Sequence, residues 1–161
     1  MQKQKITFEY SVFESILELD KVHRELMLLA DAARKNAYAP YSNFQVGAAV
    51  LLENGKVVIG NNQENACYPS GLCAERVAIF QAGAVYPNQI IKAIAISASS
   101  TKQSLKMPAA PCGNCRQSIA EYELKQVQPI TILMSGDEGN VFKCDSISDL
   151  LPLAFDSTYL I

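Results

Sequence analysis

The 161-residue chain has a single histidine, His23, and no run of basic residues. Its 14 Lys and Arg against 16 Asp and Glu are scattered singly and leave a formal net charge of −2. A protein that grips DNA or RNA normally carries a basic stripe that neutralises phosphates, so no nucleic-acid partner is expected. Long hydrophobic runs are also missing. The stretch from Val46 to Leu52 is far too short to cross a bilayer, so no membrane partner is expected either. The first ten residues lack the apolar stretch and small-residue cleavage site of a secretory signal, and a cytoplasmic location is expected. Repeats, linkers and low-complexity segments are absent as well. A chain of this length buries a core without staples, so one domain over residues 1–161 is expected. There are five cysteines, an odd number, which argues against a disulfide framework and for metal binding or free thiols.

What remains is the composition of an ordinary globular protein, 49% hydrophobic and 19% charged. From about Val12 to Asn36, apolar residues at Ile16, Leu19, Val22, Leu26, Leu29, Ala30 and Ala33 mark an amphipathic helix. It ends near Tyr38-Ala39-Pro40, where the residue before proline resists helical angles. Gln45–Leu52 and Lys56–Asn61 read as strands joined through Asn54-Gly55, a hairpin signal. A helix over Cys73–Ala84 and a buried, β-branched strand over Ile90–Ser97 follow. A helix from about Cys112 to Tyr122 is announced by Pro111. Pro129–Met134 and Asn140–Cys144 are the last strands, and the five residues between them allow no crossover, so they should be antiparallel. A short helix near Ser146–Leu151 closes the series. The expected architecture is α/β: a three-layer α-β-α sandwich on a mixed five-stranded sheet.

Two segments carry chemistry: Cys73-Ala-Glu75 and Pro111-Cys-Gly-Asn-Cys115. Zinc favours thiolates and imidazoles, and His23 lies on the distant first helix, so a zinc site here must be built from cysteines. Cys112 and Cys115, three apart at a helix start, can aim at one ion, and Cys73 can supply the third sulfur. Helix N-termini carry unpaired N–H groups and partial positive charge, which steady thiolates. Arg76 is a further source of positive charge against three thiolates. Three protein ligands leave one tetrahedral position open, the mark of a catalytic rather than structural zinc. A lone C-x-x-C also suits a redox pair or half of a structural knuckle. Cys67 competes as third ligand, but position 69 is proline, so no carboxylate follows it as Glu75 follows Cys73. Cys67 and Cys144 are expected to be packed thiols, and His23 a helix-surface or satisfied residue.

A Cys-x-Glu segment followed by Pro-Cys-x-x-Cys is the known pattern of zinc deaminases, in which the glutamate moves protons and does not bind the metal. Longer stretches sharpen the likeness: Ala37-Tyr-Ala-Pro-Tyr-Ser-Asn-Phe-Gln-Val-Gly-Ala-Ala49, Gly60-Asn-Asn-Gln-Glu-Asn-Ala66, Tyr68-Pro-Ser-Gly-Leu-Cys-Ala-Glu-Arg76, Pro111-Cys-Gly-Asn-Cys-Arg-Gln117 and Asp149-Leu-Leu-Pro-Leu-Ala-Phe155. From about Ala37 to Phe155 the chain resembles the cytidine deaminase family, of the small, free-nucleoside kind. The resemblance implies one Zn²⁺ per chain on Cys73, Cys112 and Cys115, with Glu75 as the catalytic proton shuttle. It implies that Asn62 and Glu64 hydrogen-bond the ribose 3′-hydroxyl, that Phe44 packs beside the nucleoside, and that Ala74 meets the base through its backbone. It further implies that Arg76 hydrogen-bonds the zinc thiolates. Phe155 would reach a neighbouring subunit's site within a homotetramer of shared active sites. Without the motif, Asn62 and Glu64 would read as strand-end caps, and Phe44 and Phe155 as core. About 1–16 form an N-terminal extension relative to the family, expected to lengthen the first helix, and Ser99–Ala110 is longer than typical.

The implied activity is hydrolytic deamination of cytidine and 2′-deoxycytidine to uridine and 2′-deoxyuridine, in pyrimidine salvage. The alternatives are a deaminase of a modified cytosine nucleoside, a polynucleotide editor, and a zinc-stabilised scaffold without catalysis. An ordinary ribose needs Asn62 and Glu64, whereas a remodelled sugar would not. An editor would need a basic groove, and a scaffold has no use for Glu75.

Overall fold

The computed structural model describes residues 1–160. Six strands form one sheet in the order β1-β6-β5-β4-β2-β3. They are β1 (Ser11–Phe13), β2 (Phe44–Leu52), β3 (Val57–Asn61), β4 (Ile91–Ser100), β5 (Thr131–Ser135) and β6 (Val141–Cys144). Three helices accompany them: α1 (Lys21–Arg34), α2 (Ala74–Val85) and α3 (Gly113–Gln126). β4 and β5 run parallel, while every other pairing in the sheet is antiparallel. The sheet is therefore mixed, and the β5–β6 pair is antiparallel as its short connection requires.

Alternation along the strands decides which helix covers which face. On β2 and β4, Ala49, Ala93 and Ala95 point to one side, where they pack with Leu26, Met27 and Ala30 of α1. Ala48, Val50, Ile94 and Ile96 point to the other side, against Ala78 and Ile79 of α2 and Ile119 of α3. Helices thus cover both faces, giving the three-layer sandwich. Among the described residues, no helix is long and apolar enough to cross a membrane.

Three expectations need correction. The sheet has six strands, not five, because residues 11–13 of the N-terminal extension do not lengthen α1. They pair with β6, Val12 opposite Phe142. The helix begins at Lys21, where Asp20 caps it by accepting from the His23 N–H at 3.1 Å. Residues 147–149 form a single 3₁₀ turn and not a longer helix, closed by a reciprocal Ser146–Asp149 capping box shortly before Pro152. In the β2–β3 hairpin only Gly55 of the Asn-Gly pair takes positive φ, at 79°, and Asn54 instead accepts from the Lys56 N–H through its side chain.

α2 can bring its first turn to the sheet only because β3 carries Gly60. A Cβ there would lie 2.6 Å from the Ala78 nitrogen and 2.7 Å from the Ala74 carbonyl oxygen, both backbone atoms that no rotamer change can move. Gly60→Ala should therefore cost about 2–3 kcal/mol of stability, measured as a lowered urea midpoint at fixed zinc concentration.

Candidate metal centre

Cys73 and Cys112 are the residues immediately before α2 and α3, and neither uses its side chain to cap its helix. Cys115 lies in the first turn of α3 and is fully buried. Two helix N-termini from separate parts of the chain thus converge on one point. The sulfurs of Cys73 and Cys112 are 3.7 Å apart and those of Cys112 and Cys115 are 3.5 Å apart. All three lie within 4.8 Å of one another, and all are free thiols. Tetrahedral zinc with Zn–S bonds of about 2.3 Å requires sulfurs about 3.8 Å apart. The cluster therefore fits one zinc ion in both donor chemistry and spacing.

The electrostatics match. Cys73 and Cys115 differ in how readily they hold a proton. Cys73 is held down to about 5 by the hydrogen bond from Cys115, with further support from Arg76 and Cys112. Hydrogen bonding to Cys73 and burial push Cys115 well above the ordinary thiol range. Arg76 places Nη2 at 3.4 Å from the Gly71 carbonyl and 3.8 Å from the Cys73 sulfur. Its Nε is buried with no hydrogen-bond partner among the described residues, so a donor remains for a charged site. Glu75, in the first turn of α2, is only 4% exposed. Burial holds its carboxyl above the usual range, and the Cys73 charge pushes the same way.

These groups open onto a cleft of about 650 Å³, which Phe44, Asn62, Glu64, Cys73, Glu75 and Arg76 help to line. Asn62 and Glu64 also serve the backbone. The Asn62 amide accepts from the Val46 N–H at 2.8 Å and donates to the Phe44 carbonyl at 2.9 Å. One carboxylate oxygen of Glu64 accepts from the Tyr41 and Ser42 N–H groups at 2.9 and 3.2 Å. Burial pushes this carboxyl up, but the bonds from Ser42 and Tyr41 outweigh it and leave it below its ordinary value. Each side chain keeps unused hydrogen-bonding capacity, a second N–H on Asn62 and the other oxygen of Glu64.

Phe155 is not brought into this cleft, and the Ala74 side chain does not line it. Ala74 is fully buried at the start of α2, between Cys73 and Glu75, and its side chain belongs to the core. Phe155 is 58% exposed and stacks on Tyr159 with ring centroids 5.5 Å apart. It lines a different hollow, beside the C-terminal end of α3. Cys144 is a packed core thiol as expected, whereas Cys67 is exposed, contrary to expectation. The short 3₁₀ turn Tyr68–Ser70 that follows Cys67 contributes no buried residue and gives its side chain nothing to pack against. His23 pairs with Asp20 at the start of α1, away from the cleft. Sequence reasoning missed Arg116, which donates to the Pro111 carbonyl at 2.7 Å and the Leu150 carbonyl at 2.8 Å. It thereby ties the Cys112 approach to the C-terminal segment, and its place directly after Cys115 was the available signal.

Residues 20–131 match the family model described as the cytidine and deoxycytidylate deaminase zinc-binding region. The chain belongs to this family. The match contains all three clustered cysteines and Glu75, and it starts after β1. A cytidine deaminase of Halalkalibacterium halodurans is 41% identical over 131 residues, covering 80% of this chain and 92% of that one. The crystal structure of cytidine deaminase from Burkholderia pseudomallei superposes with a TM-score of 0.72 at 42% identity, covering 83% of this chain and 98% of its own. That from Mycobacterium tuberculosis gives 0.64 at 31% identity, over 86% and 99%.

The difference between Cys73 and Cys115 has a direct chemical readout. In metal-free protein at pH 7, iodoacetamide should alkylate Cys73 before Cys115, since the thiolate is the nucleophile. The Cys73 rate should fall only as the pH drops toward about 5, and peptide mapping of the alkylated cysteines measures both.

Proposed function

We propose that this chain is a zinc-dependent hydrolase that deaminates cytidine and 2′-deoxycytidine to uridine and 2′-deoxyuridine with release of ammonia, in pyrimidine salvage in the cytoplasm. The observation that carries the reading is Glu75: a carboxyl buried to 4% exposure and raised above its ordinary range, two residues after Cys73 and lining a nucleoside-sized cleft. The curated relatives named cytidine deaminase support the substrate. One zinc per chain on Cys73, Cys112 and Cys115 supplies, when bound, Lewis-acid activation of water at neutral pH.

The chain's own residues do the rest. Glu75 takes a proton from the attacking water and delivers it to the ring nitrogen next to the amine-bearing carbon. A carboxyl whose pKa is raised by burial takes a proton more readily than a free carboxylate and can return it to the reacting groups. Oxygen bonds to that carbon, the C–N bond breaks, and the amine leaves as ammonia with a second proton passed through Glu75. Arg76 offsets the negative charge of the sulfurs. The spare N–H of Asn62 and the free oxygen of Glu64 hold the 3′-hydroxyl of an unmodified sugar. Phe44 packs beside the nucleoside, and the Ala74 backbone meets the base. Phe155, remote from its own chain's cleft, serves a neighbouring subunit in a homotetramer. A non-catalytic scaffold has no use for a desolvated carboxylate beside its metal.

Glu75→Gln should retain zinc, read by elemental analysis, while kcat for cytidine falls about 10²–10⁴-fold in the ultraviolet absorbance assay. Full turnover by a zinc-loaded variant would refute the proton-shuttle role. If Phe155 completes a neighbour's site, Phe155→Ala should also be impaired. Co-expressing it with Glu75→Gln should then recover activity that neither variant has alone, because mixed tetramers contain some sites with both residues intact.

A further inference from the structure

The segment between β4 and Cys112 is held almost entirely at its two ends. Thr101 donates to the Asn43 carbonyl at 3.1 Å, and Ala109 and Ala110 line the cleft just before the metal-facing loop. Between those points, residues 101–107 are all exposed except Leu105. Past Lys102, whose N–H donates to Ser100 Oγ at 3.2 Å, Leu105 is the residue of this stretch that is hydrogen-bonded to the rest of the fold among the described residues, and its partner is the turn between β5 and β6. The Leu105 N–H donates to Asp137 Oδ2 at 3.0 Å, and the Asp137 N–H donates back to the Leu105 carbonyl at 2.9 Å. The backbones approach so closely that a Cβ on Gly136 would lie 2.2 Å from the Leu105 oxygen.

Asp137 is in turn fixed from behind. Its other oxygen, Oδ1, is 3.4 Å from Arg34 Nη1. That guanidinium is 13% exposed, bound to Asp31 at 2.8 Å, and donates to Ser97 Oγ at 3.1 Å and the Ala98 carbonyl at 3.0 Å. Arg34 is thus locked to the end of β4, and through Asp137 it sets where the loop's midpoint stands. A planar, multi-donor guanidinium suits this role because its orientation follows once two or three of its bonds are made.

We infer that Asp137 is a positioning residue for the substrate cleft: it pins Leu105 so that Ala109 and Ala110 stand as a fixed wall beside Cys112. The inference rests on reading the cleft as the nucleoside site. Without the pin, a polar exposed loop tethered only at its ends samples many conformations, and part of the binding energy is lost in ordering it. The reacting groups on α2 and α3 are held by other contacts and keep their geometry.

The test compares Asp137→Ala and Asp137→Asn with the wild type, all zinc-loaded. Trypsin can cut after Lys102 and Lys106, on either side of Leu105, and needs no substrate turnover to report on the loop. Asp137→Ala should be cut there about tenfold faster at a temperature where it remains folded. It should raise KM for cytidine about tenfold with kcat within about threefold, since losing an anchored charge-assisted hydrogen bond has effects of this order. Asp137→Asn keeps an acceptor for the Leu105 N–H and should recover most of the loss in both readouts. A drop in melting temperature with cleavage rate and KM unchanged would overturn the inference, as would a fall in kcat at constant KM. If the wild type left cytidine intact, the proposed activity would fail, while the proteolysis would still show whether Asp137 pins the loop.

Discussion

Three sulfurs within 4.8 Å of one another are the constraint around which the rest of this protein is arranged. Two like charges about 4 Å apart near a protein surface repel by about 4 kcal/mol, so three thiolates cannot share such a space unaided. The fold answers with two helix N-termini and the Arg76 guanidinium, which has one N–H donor still unpaired. A divalent cation completes the compensation, and the family's zinc-binding character agrees with that demand. Burial, together with the same negative charge on Cys73, holds the Glu75 carboxyl above its usual range. The metal-binding thiols and the Glu75 carboxyl therefore sit in one electrostatic arrangement.

Bringing two helix ends to one point requires both helices to share a face of the sheet and to approach it closely. Period-two alternation assigns Ala48, Val50, Ile94 and Ile96 to that face, and Gly60 lets the start of α2 come into backbone contact with β3. α1 covers the opposite face over Ala49, Ala93 and Ala95 and contributes no residue to the metal cluster. Its contribution to the cleft is indirect, through Arg34 at its C-terminal end.

Asn62 and Glu64 show how scaffold and site overlap. Each spends part of its hydrogen-bonding capacity on the backbone of the segment from Tyr41 to Val46 and presents the remainder to the cleft. The backbone-capping role the residue types suggest is present, and the same side chains line the cleft. Changing either side chain would also free the entry to β2, because its backbone bonds would be lost.

Short-range chemistry was legible in the residues alone. Cys73-Ala-Glu75 and Cys112-x-x-Cys115 specify donors, spacing and a helix start within a few positions. The antiparallel β5–β6 pair follows from a connection too short for a crossover. Other features depend on which distant backbone groups remain unpaired once the sheet has formed. Residues 11–13 have no strong strand pattern and become β1 because β6 offers an open edge. The exposure of Cys67 and the remoteness of Phe155 from its own cleft were likewise decided by packing. The tie between Leu105 and Asp137 joins residues 32 apart through one backbone bond and one bond from the Leu105 N–H to the Asp137 carboxylate, a pairing that no local pattern announces. The sequence by itself determined which cysteines and which glutamate could act together and most of the order of elements, since local spacing and periodicity encode these. Only the tertiary structure decided the sixth strand, the cleft and the loop that walls it, because those arise from contacts between segments that no local pattern links.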